Sequence, residues 1–202
     1  MGAIKSGGQA LFFDQGGDIL TLDPAMKSTG DYNGTGFFYV VSPPRAFAET
    51  DKLTVTGTVS SSSMQLSAPV DGATFELDLS PDGSFSGTPS FSAGRWSANY
   101  VGDGNFMPFD LSVDAAGNMD GTDFFGCDVS GTLSEVGTEN LYDVTYKASD
   151  APGSVAGACG GALHGLGFLS TFDQSGKMGS GTFFYILLTG QSQAYGVEFK
   201  MP

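Results

Sequence analysis

The side chains able to do chemistry are few and far apart. His164 is the one histidine in 202 residues, so a serine–histidine–aspartate mechanism has a single position for its base. It stands in Leu163-His164-Gly165-Leu166-Gly167-Phe168, where alternation sets it opposite Leu163 on a strand. Its plain reading is a polar-face residue; its functional alternative is an axial haem ligand, with a tyrosine or methionine as the second. The nearest approach to a nucleophile elbow is Gly83-Ser84-Phe85-Ser86-Gly87, which has Phe at the nucleophile position. Neither phosphate-cradling glycine motif occurs among the 31 glycines. Paired carboxylates for glycoside hydrolysis normally sit in an aromatic cleft, and the chain has one Trp. Asp114, Asp120 and Asp123 bring oxygen ligands close in sequence, but without the spacing or closing Glu of a calcium loop. They read as hairpin-turn residues. No catalytic residue, metal or cofactor is assigned, and a non-enzymatic role is expected.

Cys127 and Cys159 are the two cysteines. In an acidic chain rich in Gly and Ser they read as a disulfide, which implies an oxidising, extracytoplasmic compartment at the cell surface, outer membrane or periplasm. Two buried thiols in a cytosolic protein are the alternative. With the only histidine five residues past Cys159, there is no zinc pattern.

The elements that must position these residues are strands. Of the 22 acids, five are Glu and the rest Asp, against 8 Lys plus Arg. Asp and Gly favour turns, whereas Glu and Lys favour helices. The seventeen Phe supply a core that a disordered acidic chain lacks. Leu53-Thr54-Val55-Thr56-Gly57-Thr58-Val59 and Phe75-Glu76-Leu77-Asp78-Leu79 alternate cleanly, placing one face on a core and the other in water. Pro81-Asp82-Gly83 is turn chemistry. Strands are expected through most of the chain, with one helical turn around Arg45 to Lys52. The expected fold is all-β and mainly antiparallel, in two β-modules: a flexible tether over 1–9, an N-terminal module over 10–91 and a C-terminal module over 92–202.

Two runs break the alternation: Gly36-Phe37-Phe38-Tyr39-Val40-Val41 and Thr182-Phe183-Phe184-Tyr185-Ile186-Leu187-Leu188. Both faces of such strands need cover. They are either central strands between packed layers, or barrel strands with one face in the core and the other on a partner or ligand. Phe37, Phe38, Tyr39, Phe183, Phe184 and Tyr185 are therefore the interface candidates. The formal charge of −14 opposes binding to nucleic acid and to anionic lipid. No run approaches the ~20 apolar residues of a membrane-spanning helix.

The second half carries an ordered set of motifs: Gly94-Arg95-Trp96-Ser97-Ala98, Leu111-Ser112-Val113-Asp114, Gly117-Asn118, Gly126-Cys127-Asp128-Val129-Ser130-Gly131-Thr132, Asn140-Leu141-Tyr142-Asp143-Val144-Thr145, Cys159, and Leu163-His164-Gly165-Leu166-Gly167. In order and spacing this resembles a family of small disulfide-containing β-rich predicted lipoproteins of Gram-negative bacteria, over residues 93–202. The resemblance implies an exported, lipid-anchored β-domain with one disulfide, mostly without assigned activity; separately, the eight candidate strands of the second half suffice for a small closed antiparallel barrel. The lipid-attachment cysteine of such proteins is absent from these 202 residues, so a soluble portion following it is expected. The fold is similar to that of surface lipoproteins that capture haem or host iron proteins. The expected function is display or recognition of a protein or small apolar ligand. Two alternatives stay open: a haem- or lipid-binding barrel, and a self-associating subunit of a filament or shell.

Overall fold

The computed structural model describes residues 2–4, 10–13, 19–23, 29–42, 45–49, 52–70, 73–79, 91–98, 109–136, 141–172, 178–190 and 193–201. Every element among them is a strand, and every pairing is antiparallel.

The N-terminal module contains β1 (Gly2–Ile4), β2 (Ala10–Phe13), β3 (Ile19–Asp23), β4 (Gly30–Ser42), β5 (Arg45–Glu49), β6 (Leu53–Val59), β7 (Met64–Val70) and β8 (Ala73–Leu79). Its organiser is β4, 13 residues long. One edge pairs with β3 through Thr35–Tyr39; the other pairs with β6 through Gly30–Gly36 and with β5 through Tyr39–Ser42. Asn33-Gly34 thus lies inside a strand rather than at a hairpin tip. From β6 the sheet continues through β7 to β8.

Two expectations need correction here. Arg45–Glu49 is a strand, not a helical turn. It pairs with β4 on one side, and through Ala46 and Phe47 with residues 194 and 193 on the other, so long-range ladders satisfy backbone groups that one helical turn leaves open. Gly2–Ile4, read as part of a tether, pairs with Ala10–Phe12. Residues 80–90, which include the Pro81-Asp82-Gly83 turn, lie outside those described, and Phe91 is not in a strand.

The C-terminal module contains β9 (Gly94–Ala98), β10 (Phe109–Val113), β11 (Asn118–Thr122), β12 (Asp128–Val136), β13 (Leu141–Ser149), β14 (Ala162–Phe172), β15 (Met178–Thr189) and β16 (Gln193–Lys200). Each strand pairs with the next, and Lys200 opposite Ser97 joins β16 to β9. The result is a closed eight-stranded barrel, as expected. Trp96, Phe109, Val144, Tyr146, Phe184 and Phe199 are among the side chains that fill it. Phe109 is at the centre, with ring centroids 5.0 Å from Phe199 and 5.3 Å from Phe124. Gly167 makes room for this filling: a Cβ there would lie 2.5 Å from the Phe184 ring. Away from the N-terminal module the outer wall is polar, with Ser112, Asp120, Ser130, Thr132, Thr145 and Lys147 exposed. An apolar interior and polar wall suit a barrel in water and reverse the pattern of a lipid-facing one.

The modules meet at a third apolar cluster. Leu11, Ile19 and Phe37 from the N-terminal sheet pack on Leu141, Leu166, Phe168, Tyr185 and Leu187 of the barrel's outer wall. The opposite face of the N-terminal sheet carries Phe12, Leu20, Leu22, Phe38, Val55 and Leu66 into that module's own core. Strand β15 therefore alternates between two cores, with Phe184, Ile186 and Leu188 inside the barrel and Phe183, Tyr185 and Leu187 against the N-terminal sheet.

Leu187 is 1% exposed in the inter-module cluster. Leu187→Ala is expected to destabilise the protein by about 2–5 kcal/mol, the range for a leucine-sized cavity that cannot collapse, measured as a lowered urea midpoint. A change below about 0.5 kcal/mol would mean that the two modules are not packed as described.

Candidate functional site

A barrel can act through its interior, its two ends or its wall. The interior is occupied by the side chains just named, so the ends come next.

One end is closed by the turn between β11 and β12. Asp123 is fully buried, and its carboxylate organises that turn. Oδ1 accepts the Phe125 N–H at 2.9 Å and the Cys127 N–H at 3.0 Å, while Oδ2 accepts the Tyr146 hydroxyl at 3.1 Å. The turn is held so that Phe124 and Phe125 enter the barrel core. Beside it, Cys127 is joined to Cys159 in a disulfide across 32 residues. The bond fastens the 150–161 connection over this end, where the Val155 N–H also donates to the Phe125 carbonyl at 2.9 Å. A loop of this length contributes about 4 kcal/mol in the chain-entropy model.

The opposite end is a mouth. Half-buried Phe91 packs on the barrel core, with ring centroids 5.5 Å from Trp96 and 5.8 Å from Tyr142. The Trp96 indole N–H donates to the Ser92 carbonyl at 2.9 Å, fixing the approach to β9. Glu135 lies directly across from Tyr142 in the β12–β13 ladder and is exposed at the rim. Phe91, Ala115, Ala116, Gly117, Leu133, Glu135 and Tyr142 line a depression of about 190 Å³. The wall at Gly117 needs glycine, since its φ is +82° and a Cβ would lie 2.2 Å from the Leu133 carbonyl oxygen. Burial, and then the Glu135 charge, push the Tyr142 phenol above its ordinary value of 10.0. A second, larger depression of about 440 Å³ lies on the N-terminal module between Thr58, Gln65, Ser67, Glu76 and Asp78.

His164 is exposed on the outer face of β14, between Thr145 and Thr189 on the neighbouring strands. It points away from the barrel interior, so the pocket-facing ligand of the haem alternative would have to be a tyrosine. Asp114 is occupied by its own turn: its carboxylate accepts N–H groups of Ala116 and Asn118 and the Asn118 amide at 2.8–2.9 Å. Those bonds, the Asn118 side chain first, hold it below its ordinary 3.8. Asp120 is exposed on β11 while Asp123 is buried, and no group of three or more His, Cys, Asp or Glu among the described residues could hold a metal. Of the interface candidates, Phe37, Phe183 and Tyr185 lie between the modules, Phe38 in the N-terminal core and Phe184 in the barrel. Tyr39 pairs with Ile19 and Glu49 on β4, and its side chain is outside the described part. The mouth was not singled out from sequence, because Phe91 was assigned to the end of the N-terminal module. No family model, curated protein or solved structure matches the chain.

Two measurements follow from the barrel ends. Asp123→Ala leaves two buried N–H groups and a phenol without their acceptor and should destabilise by roughly 3–5 kcal/mol. Asp123→Asn keeps an acceptor for both N–H groups and should lose about 1–2 kcal/mol; equal losses in urea unfolding would contradict the account. For Tyr142, the unfolded chain releases its proton near 10 and the folded chain holds it longer. Stability is thus retained below pH 10 and falls as pH rises through the elevated folded value. Urea titrations at rising pH should show a smaller alkaline loss for Tyr142→Phe than for the unsubstituted protein. Identical slopes would remove the effect.

Proposed function

We propose that this chain is an exported, non-enzymatic recognition domain, of the kind carried by surface lipoproteins, that engages a protein partner through its outer surface. The observation that carries the reading is the filled barrel. Trp96, Phe109, Tyr146, Phe184 and Phe199 occupy its centre, and the disulfide-fastened turn closes one end. A centre filled by these side chains favours recognition at the surface over carriage of a haem or lipid. The Cys127–Cys159 disulfide is consistent with an oxidising compartment. The aromatic runs favoured for self-association are engaged within the chain at Phe37, Phe38 and Phe183–Tyr185, which favours a different partner over a second copy. The charge of −14 suits a partner that is neutral or basic rather than a nucleic acid.

The test has two parts. Haem titrated into the protein should leave the Soret band of free haem unshifted; a saturable shift would restore the carrier reading. Protein extracted from its native cells directly into alkylating agent should show no mass gain without reductant. Addition of two alkyl groups at that step would place the protein in a reducing compartment and overturn the exported role.

A further inference from the structure

We propose that the Phe91 mouth of the barrel is a binding site for an organic ammonium group. The argument starts from what lines it. Phe91 presents a half-buried aromatic ring with the buried Tyr142 ring packed beside it, Leu133 and the Ala115–Gly117 turn supply apolar walls, and Glu135 sets one carboxylate on the rim. Among the described residues that line it there is no lysine or arginine, so none of them neutralises the carboxylate.

Each other ligand class meets an obstacle. An anion is repelled by Glu135 and by a chain of charge −14. A hard metal ion needs several oxygen ligands, and the described lining residues offer one carboxylate. A neutral apolar guest gains the walls but nothing from the rim. An alkylammonium uses all of it: its carbon atoms rest on the rings, its charge faces the ring quadrupoles, and Glu135 completes the neutralisation. At about 190 Å³ the space suits a single cationic group rather than a whole cofactor. Two sources have this chemistry, a lysine side chain of a partner protein and a free quaternary amine. The inference takes its biological purpose from the recognition reading, but its test reads the mouth alone.

Trp96 is the only tryptophan and touches Phe91 at 5.5 Å between centroids, so its fluorescence reports on the site. The protein is titrated at constant ionic strength with choline, with N-acetyl-lysine methylamide, and with 3,3-dimethylbutanol, the neutral isostere of choline. Saturation-transfer NMR of each ligand gives a second readout independent of Trp96. The expected result is saturable binding of at least one ammonium, with the isostere about tenfold weaker or more. Glu135→Gln should weaken the ammonium by about tenfold without changing the circular dichroism spectrum. Preference for choline assigns the site to free amines, and preference for the lysine derivative assigns it to a protein partner. No binding of either ammonium by NMR, equal binding of the isostere, or no effect of Glu135→Gln would overturn the proposal. Any of these outcomes would leave the recognition reading standing on its own haem and alkylation tests.

Discussion

Strand β15 cannot expose either face, and the architecture follows from that constraint. Phe184, Ile186 and Leu188 point one way and Phe183, Tyr185 and Leu187 the other. A strand of this kind in a lone small barrel would put its outward row in water, at roughly 25 cal/mol for each Å² of apolar surface. The chain instead folds a second sheet against the wall. Strands β2, β3 and β4 then inherit the same constraint, since Leu11, Ile19 and Phe37 turn toward the barrel while Phe12, Leu20 and Phe38 need a core of their own. Three apolar clusters arise in sequence from one strand. The short ladder between β5 and β16 ties the same modules through backbone hydrogen bonds.

This arrangement narrows what the protein can do. A barrel that carries a ligand leaves its centre empty; here aromatic rings hold it. The most buried polar group is the Asp123 carboxylate, and all three of its hydrogen bonds serve the turn that closes one end. The opposite end differs in kind: the Phe91 ring is half-buried, the Glu135 carboxylate is exposed, and the walls leave a small depression. Among the described residues the two ends thus differ, one stapled by the Cys127–Cys159 disulfide and the other carrying a small depression.

Much of the fold was legible because local rules and tertiary structure agree. Alternation in Leu53–Val59 and Ala73–Leu79 marks half-covered strands, and the structure has strands there. Cys127 and Cys159 were readable from composition and compartment logic. Arg45–Glu49 was not: Ala and Glu favour helix locally, and the ladders that make it a strand reach to β4 and β16, beyond any local window. The runs at Phe37 and Phe183 announced that both faces are covered without naming the cover, because that depends on which sheet packs where. Asp123 looked like one turn acid among many. Its distinguishing signal is Asp123-Phe124-Phe125-Gly126-Cys127, an acid whose nearest neighbours are core residues rather than solvated ones. The mouth was hidden most fully, since its parts come from residues 91, 115–117, 133, 135 and 142 and meet only once the barrel closes.

If β15 is the shared wall of two cores, the modules cannot unfold separately. The decisive measurement follows urea unfolding with two reporters in one sample: Trp96 fluorescence for the barrel interior, and native-state hydrogen exchange of β3 and β4 amides for the N-terminal sheet. The account predicts one cooperative transition, with both reporters giving the same midpoint and the same free energy. An N-terminal sheet that opens well below the Trp96 transition would show the modules to be independent and would contradict it.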